Sequence, residues 1–136
     1  MKKAFLLAFI GALLLSVCLV SPSCGVVGSK GADTLRINTT ELGADLMGYN
    51  GPTPVEIVVY KGVITEINAL PNQETPRFMK RVLDTGLLKS LDGKTLEEAL
   101  QTQLDAVTGA TFTSETLIQN IRLGLDKAQE LSRTKK

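Results

Sequence analysis

No histidine occurs anywhere in the 136 residues. Its absence removes the Ser-His-Asp constellation and every metal site built on imidazole. Cysteine is nearly as scarce: the two present, Cys18 and Cys24, both fall within the first 24 residues. Beyond them no thiol remains to form a structural disulfide, or to hold zinc or an iron–sulfur cluster. Redox or group-transfer chemistry in the body of this chain would have to come from an organic cofactor. Basic runs are missing too. Lys and Arg number 15 against 14 Asp and Glu, a formal net charge of +1. The short tail Arg133-Thr134-Lys135-Lys136 reads as a solvated end, so no nucleic-acid partner is expected. There is no internal repeat and no low-complexity segment.

What is present begins with an address. Lys2 and Lys3 precede an apolar run from Ala4 to Val20, broken only by Gly11 and Ser16. Small residues follow, Ser21-Pro22-Ser23-Cys24. A positive start, an apolar middle and a small-residue end is the layout of an export signal over residues 1–23. The run is slightly long for a signal core and slightly short for a membrane span, so a retained anchor is the alternative. A cut before Cys24 would make that cysteine the new N-terminus. This resembles a bacterial lipoprotein, in which the thiol carries diacylglycerol, although Ser21 stands where Leu or Val is usual. The competing account of both cysteines is that they are small apolar residues of the segment. Without Lys2 and Lys3 the net charge falls to −1.

Residues 24–34 include GVVGSKGADT, rich in Gly, Ser and Lys, and read as a flexible tether. Residues 35–136 are long enough for one modest domain. Leu35 to Thr39 suits a short strand. GYNGPTP, residues 48–54, is dense in turn residues. Val55–Tyr60 and Val63–Ala69 read as strands of a hairpin turned at Lys61-Gly62. Alternation puts Val55, Ile57 and Val59 on one face of the first, and Val63, Thr65, Ile67 and Ala69 on one face of the second. After the loop PNQETP, a helix is expected from Pro76, with Phe78/Val82 and Met79/Leu83 at i,i+4 and a stop at Gly86. Thr95-Leu96-Glu97-Glu98 has capping-box spacing and would turn Leu96, Ala99 and Leu100 inward. Leu117, Ile121, Gly124, Leu125 and Ala128 form the most regular helical stripe. Strand, hairpin, then helices predicts an α+β fold: a small antiparallel sheet with a central hairpin, packed by C-terminal helices.

Ahead of that last helix lies DAVTGATFTS, residues 105–114. A helix start leaves backbone N–H groups unpaired. Thr113 or Ser114 can cap them, and Glu115 in the first turn suits the dipole. Capping does not account for Thr108-Gly109-Ala110-Thr111. Small residues there allow another group to approach the backbone, and a phosphate is suited to the positive end of a helix. A phosphate-binding role and a plain capped loop both remain open on these residues alone.

Asp105-Ala106-Val107-Thr108-Gly109-Ala110-Thr111-Phe112-Thr113-Ser114 resembles the flavinylation motif of FMN-binding domains. Such domains occur as components of the Rnf complex and of the sodium-pumping NADH:quinone oxidoreductase, and in exported flavoproteins of extracellular electron transfer. Gly48-Tyr49-Asn50-Gly51-Pro52 ahead of a hairpin resembles the family's entry to its sheet. Glu74-Thr75-Pro76 resembles its ETP segment, which lies beside the flavin. The order and spacing of the three blocks agree over roughly residues 45 to 127. The chain departs after Pro76, where Arg77 replaces the family's usual Gly. It would crowd the flavin, pair with an anion, or stand as a surface charge.

The resemblance implies FMN joined through its phosphate to Thr111 by a flavin transferase, as a phosphoester. It implies recognition by that enzyme at Asp105, against the alternative of a loop carboxylate bonded to nearby backbone amides. Thr108 is either a backbone cap or part of the recognition. Gly109, Ala110, Thr113 and Ser114 would border the cofactor. Tyr49 would stack near it or be an ordinary half-buried aromatic. Glu74 and Thr75 would lie at its edge or stabilise the turn, against the default of a solvated loop carboxylate at Glu74. The implied function is an exported, membrane-tethered electron carrier passing electrons between a membrane redox protein and an extracytoplasmic partner, rather than a complete enzyme. Its expected place is the outer face of the cytoplasmic membrane or the periplasm. The alternatives are a non-redox exported lipoprotein module whose motif merely caps a helix, and a reversible FMN binder.

Overall fold

The computed structural model describes residues 33–135. The expected signal segment 1–23, Cys24 and the rest of the tether before Asp33 lie outside the described residues. Three strands come first: β1 (Thr34–Asn38), β2 (Val55–Tyr60) and β3 (Val63–Ala69). They pair antiparallel in the order β1-β2-β3. Three helices follow, α1 (Pro76–Asp84), α2 (Leu96–Gln101) and α3 (Thr111–Thr134), with one 3-10 turn at Lys89–Leu91. The fold is α+β, as the order of patterns predicts.

The hairpin turns on Lys61 (φ 50°) and Gly62 (φ 81°). Two successive positive φ values match the right-handed twist of the strands. Simple alternation fails in β3. Ile57 faces Ile67 and Val58 faces Glu66, but Val59 faces Ile64, so Thr65 is one residue too many for its partner strand. This bulge turns Ile64 and Ile67 both inward and leaves Thr65 exposed, against the expected face of Val63, Thr65, Ile67 and Ala69. The Thr65 hydroxyl donates to the Val58 carbonyl at 3.1 Å, which fixes the extra residue.

The long helix α3 lies across β2 and β1. Its stripe of Leu117, Ile121, Gly124, Leu125 and Ala128 is buried throughout. Burial of each large aliphatic chain contributes about 1.5–3 kcal/mol. Gly124 lets the helix approach the sheet: a Cβ there would stand 2.6 Å from Ile57 Cδ1 and 3.0 Å from Thr39 Cγ2. Helix α2 opens with the expected capping box, Thr95 Oγ1 accepting from the Glu98 N–H. The Thr95 backbone and hydroxyl donors hold the Glu98 carboxyl below its usual range. A lowered folded pKa means this contribution is present above the ordinary Glu pKa and is lost as pH falls through the lowered one. At the other end of α2, Arg122 of α3 donates to the carbonyls of Leu100 (3.3 Å) and Thr102 (3.4 Å).

The connection from β1 to β2 is fixed by Thr39, which is fully buried. Its N–H donates to the Val55 carbonyl at 3.0 Å, and its hydroxyl oxygen accepts from the Val55 N–H at 2.9 Å. Thr39→Val keeps the shape and leaves the Val55 N–H without its acceptor. Urea denaturation should show a loss of about 1–3 kcal/mol; an unmoved midpoint would contradict this account of the connection.

Candidate functional site

The start of α3 is where the structure departs most from the expected capping. The N-cap residue is Ala110 (φ −145°, ψ 38°), which has no side-chain oxygen, and no side chain caps the helix. Thr113 and Ser114 lie inside the first turn, three and four residues past the capping position, and Glu115 falls just beyond that turn. Both hydroxyls are spent in other ways. Thr113 Oγ1 donates to Glu74 Oε2 at 2.6 Å. Ser114 Oγ accepts from the Val107 N–H at 2.9 Å and faces the carbonyls of Ala110 (2.9 Å) and Thr111 (3.0 Å), to which its proton can go. The N–H groups of Thr111, Phe112 and Thr113 therefore have neither an intrahelical partner nor a cap. They form the positive end of a 24-residue helix, about half an elementary charge.

The turn that leads into the helix explains the glycine. The Ala110 N–H donates to the Val107 carbonyl at 3.0 Å, closing a four-residue turn with Gly109 third, at φ 80°. That angle favours glycine. The group that approaches Gly109 belongs to the protein itself. Arg81, in the last turn of α1, occupies the space a Cβ would need and donates a long bond of 3.5 Å to the Gly109 carbonyl. A guanidinium thus stands beside the turn that delivers Thr111.

Thr111 is exposed, and it borders a cleft of about 290 Å³ with Tyr49, Phe78, Gly109, Ala110, Phe112 and Thr113. Small-molecule sites run from about 300 Å³ upward, so this cleft suits a flat ring system more than a whole nucleotide. Its walls are aromatic. Tyr49 meets Phe78 edge to face, ring centres 5.9 Å apart at 77°. Arg77 places its guanidinium 5.1 Å from the centre of the Phe78 ring, a cation–π contact on the cleft wall rather than a lone surface charge.

Of the residues singled out in the sequence, Tyr49, Gly109, Ala110, Thr111 and Thr113 line the cleft. Glu74, Thr75 and Ser114 sit behind it. Glu74 accepts from the Asn50 N–H at 2.9 Å, and Thr75 Oγ1 accepts from Asn50 Nδ2 at 2.8 Å, so the ETP segment clamps the Tyr49 turn. Glu74 is buried, not a solvated loop carboxylate. Asp105 and Thr108 belong to a different groove, shared with residues 85–87 and Ser90. Asp105 meets the Gln103 side chain at 3.4 Å rather than backbone amides, and Thr108 is exposed and caps nothing. Sequence reasoning missed Phe78, Phe112 and Arg81. Phe78 has a core residue's helical spacing, and Phe112, which is 69% exposed, passes for a spacer within the motif. No local signal marks Arg81. Among the described residues no group of three acidic residues is placed to hold a metal ion.

An exposed hydroxyl at an uncapped helix end, beside an aromatic cleft, suits a flat ring carrying an anionic group. A family model described as "FMN-binding domain" matches residues 48–126, more than half of the chain. The chain belongs to the FMN-binding domain family. No curated protein matches it. The residues fit that cofactor: free N–H donors for a phosphate, a hydroxyl beside them, and aromatic walls for the isoalloxazine.

Ser114 ties Val107 to the first turn and so holds the whole TGAT turn. Ser114→Ala should lower stability by about 1–3 kcal/mol, because the Val107 N–H loses its acceptor. Hydrogen exchange at the Val107 amide should speed up; unchanged exchange there would refute the tie.

Proposed function

We propose that this chain is an exported, membrane-tethered electron carrier whose FMN is esterified through its phosphate to Thr111 by a flavin transferase. One observation carries the reading: of the three threonines in DAVTGATFTS, Thr111 alone both borders the aromatic cleft and is exposed, since Thr113 lines the cleft but is buried and Thr108 is exposed but faces another groove. The phosphoester keeps a negative charge, which the free N–H groups of Thr111 to Thr113 and the nearby Arg81 guanidinium would stabilise. Tyr49, Phe78 and Phe112 would hold the ring and keep water from its faces. The isoalloxazine supplies the electron chemistry, so the absence of histidine, of downstream thiols and of acid–base groups in the cleft is no obstacle.

Asp105 and Thr108 flank the attachment residue in the sequence but face a separate groove. That suits a role in recognition by the transferase, which must grip the motif without covering Thr111. The electron partners proposed are a membrane redox protein and an extracytoplasmic acceptor. The N-terminal signal and Cys24 provide the route outward and the tether. Confinement near a membrane raises the effective concentration of partners held there.

The reading as a non-redox module needs the motif to act as a helix cap, and the motif caps nothing. Reversible FMN binding would use the same cleft and differs in the bond at Thr111. The test is the intact mass of the chain, expressed with a flavin transferase, for wild type and Thr111→Ala. Wild type should gain FMN less one water and stay yellow after denaturation and desalting, and Thr111→Ala should do neither. A yellow wild type that loses its colour on denaturation would favour the reversible binder. A colourless, folded wild type would remove the flavin carrier altogether.

A further inference from the structure

Among the described residues, Glu74 is the one charged side chain that is buried, 5% exposed. It takes part in no salt bridge among those residues. The three cations of the neighbouring helix α1 have other partners, Arg77 the Phe78 ring, Lys80 the Asp84 carboxylate at 2.7 Å and Arg81 the Gly109 carbonyl. Both carboxylate oxygens accept hydrogen bonds instead, Oε1 from the Asn50 N–H at 2.9 Å and Oε2 from the Thr113 hydroxyl at 2.6 Å. Thr113 lines the cleft, and Asn50 follows Tyr49, which also lines it. The carboxylate is thus one hydrogen bond behind the cleft wall.

Burying a carboxylate without a cation is costly. The staple between the Tyr49 turn and α3 does not need the charge. A glutamine has the same length; its Oε1 would accept from Asn50, and its Nε2 would donate to Thr113 Oγ1, which can accept as well as donate. The negative charge itself therefore calls for a use at the cleft.

We infer that Glu74 sets the reduction potential of the flavin held in this cleft, as a fixed negative charge that disfavours the arrival of an electron on the ring. The inference rests on the proposal that the cleft holds FMN, and it assigns Glu74 no contact with the cofactor. Water is excluded from Glu74, so its field is screened far less than that of a surface carboxylate. The carrier is thereby held at a lower potential than its aromatic cleft alone would give, which suits a donor to acceptors further along a chain.

Two variants of the full flavinylated chain separate charge from staple. Glu74→Gln keeps the reach and removes the charge. Glu74→Asp keeps the charge and shortens the reach. Potentiometric titration at neutral pH should show a midpoint clearly more positive than wild type for Glu74→Gln and close to wild type for Glu74→Asp. Thermal melting should show the opposite order, with Glu74→Asp the less stable. In cofactor-free wild type, the 13C shift of the Glu74 carboxyl should be that of a carboxylate. A midpoint that does not move in Glu74→Gln, one that follows melting temperature across both variants, or a protonated Glu74 carboxyl would overturn the inference. Intact mass of each sample reports the flavin separately. A non-covalent FMN would fail the ester and leave the titration decisive, whereas a wild type that takes up no flavin would end both.

Discussion

The rotation of α3 on the sheet is the constraint from which the site follows. Leu117, Ile121, Leu125 and Ala128 must face β2 to be buried, and that choice fixes the direction of every other residue on the helix. Thr113, Thr116, Asn120 and Gly124 then fall on one flank at intervals of three and four. Each meets the chain that wraps past it: Thr113 bonds Glu74, Thr116 Oγ1 donates to the Met47 carbonyl at 3.2 Å, Asn120 packs on Gly43, and Gly124 lies against Thr39. The same rotation leaves Thr111 and Phe112 outside. A helix turned by one residue would break all four contacts.

At the head of this helix the electrostatics are divided between two ends of a small site. Unpaired N–H groups and Arg81 make the Thr111 side positive, while Glu74 makes the inner wall negative. A ligand carrying an anion on a neutral, electron-accepting ring meets a favourable field at the anion and an opposing one at the ring. Capping α3 in the ordinary way would have removed the first of these. The missing cap is a local cost, of the order of 1 kcal/mol, that the rest of the helix offsets through its buried stripe.

Elements with strong periodicity were legible in the sequence. The hairpin, the capping box of α2 and the five-residue stripe of α3 each follow from residue types whose local preference agrees with their tertiary place. The bulge at Thr65 was not, because one extra residue in a strand has no signature beyond a threonine that suits either face. The start of α3 was misplaced for a related reason. Threonine and serine are the usual caps, so a run of them pulls the expected boundary toward the C-terminus, and nothing local says that Ala110 takes that position. The polar flank of Thr113, Thr116 and Asn120 is invisible to hydrophobic patterning, which reads such residues as solvated. Burial of Glu74 depends on Asn50 and Thr113, 24 and 39 residues away, and no window of sequence holds all three.

The same helix also sets where the site points. The described chain begins at Asp33, which shares a surface hollow with Leu131, Ser132 and Lys135 at the far end of α3. Thr111 stands twenty residues earlier on that helix, about 30 Å away at 1.5 Å per residue. The hairpin turn at Gly62 borders the same hollow, so the entry of the chain and the cleft occupy opposite poles. In the carrier reading, an anchor upstream of Asp33 holds the pole without the cleft. The aromatic cleft, flanked by exposed Met47, Tyr49 and Phe112, is then offered to partners on the far side from the point of attachment. Reaching back toward the membrane would require the tether to let the whole domain turn over. A short tether therefore favours hand-over outward, and a long one permits shuttling in both directions.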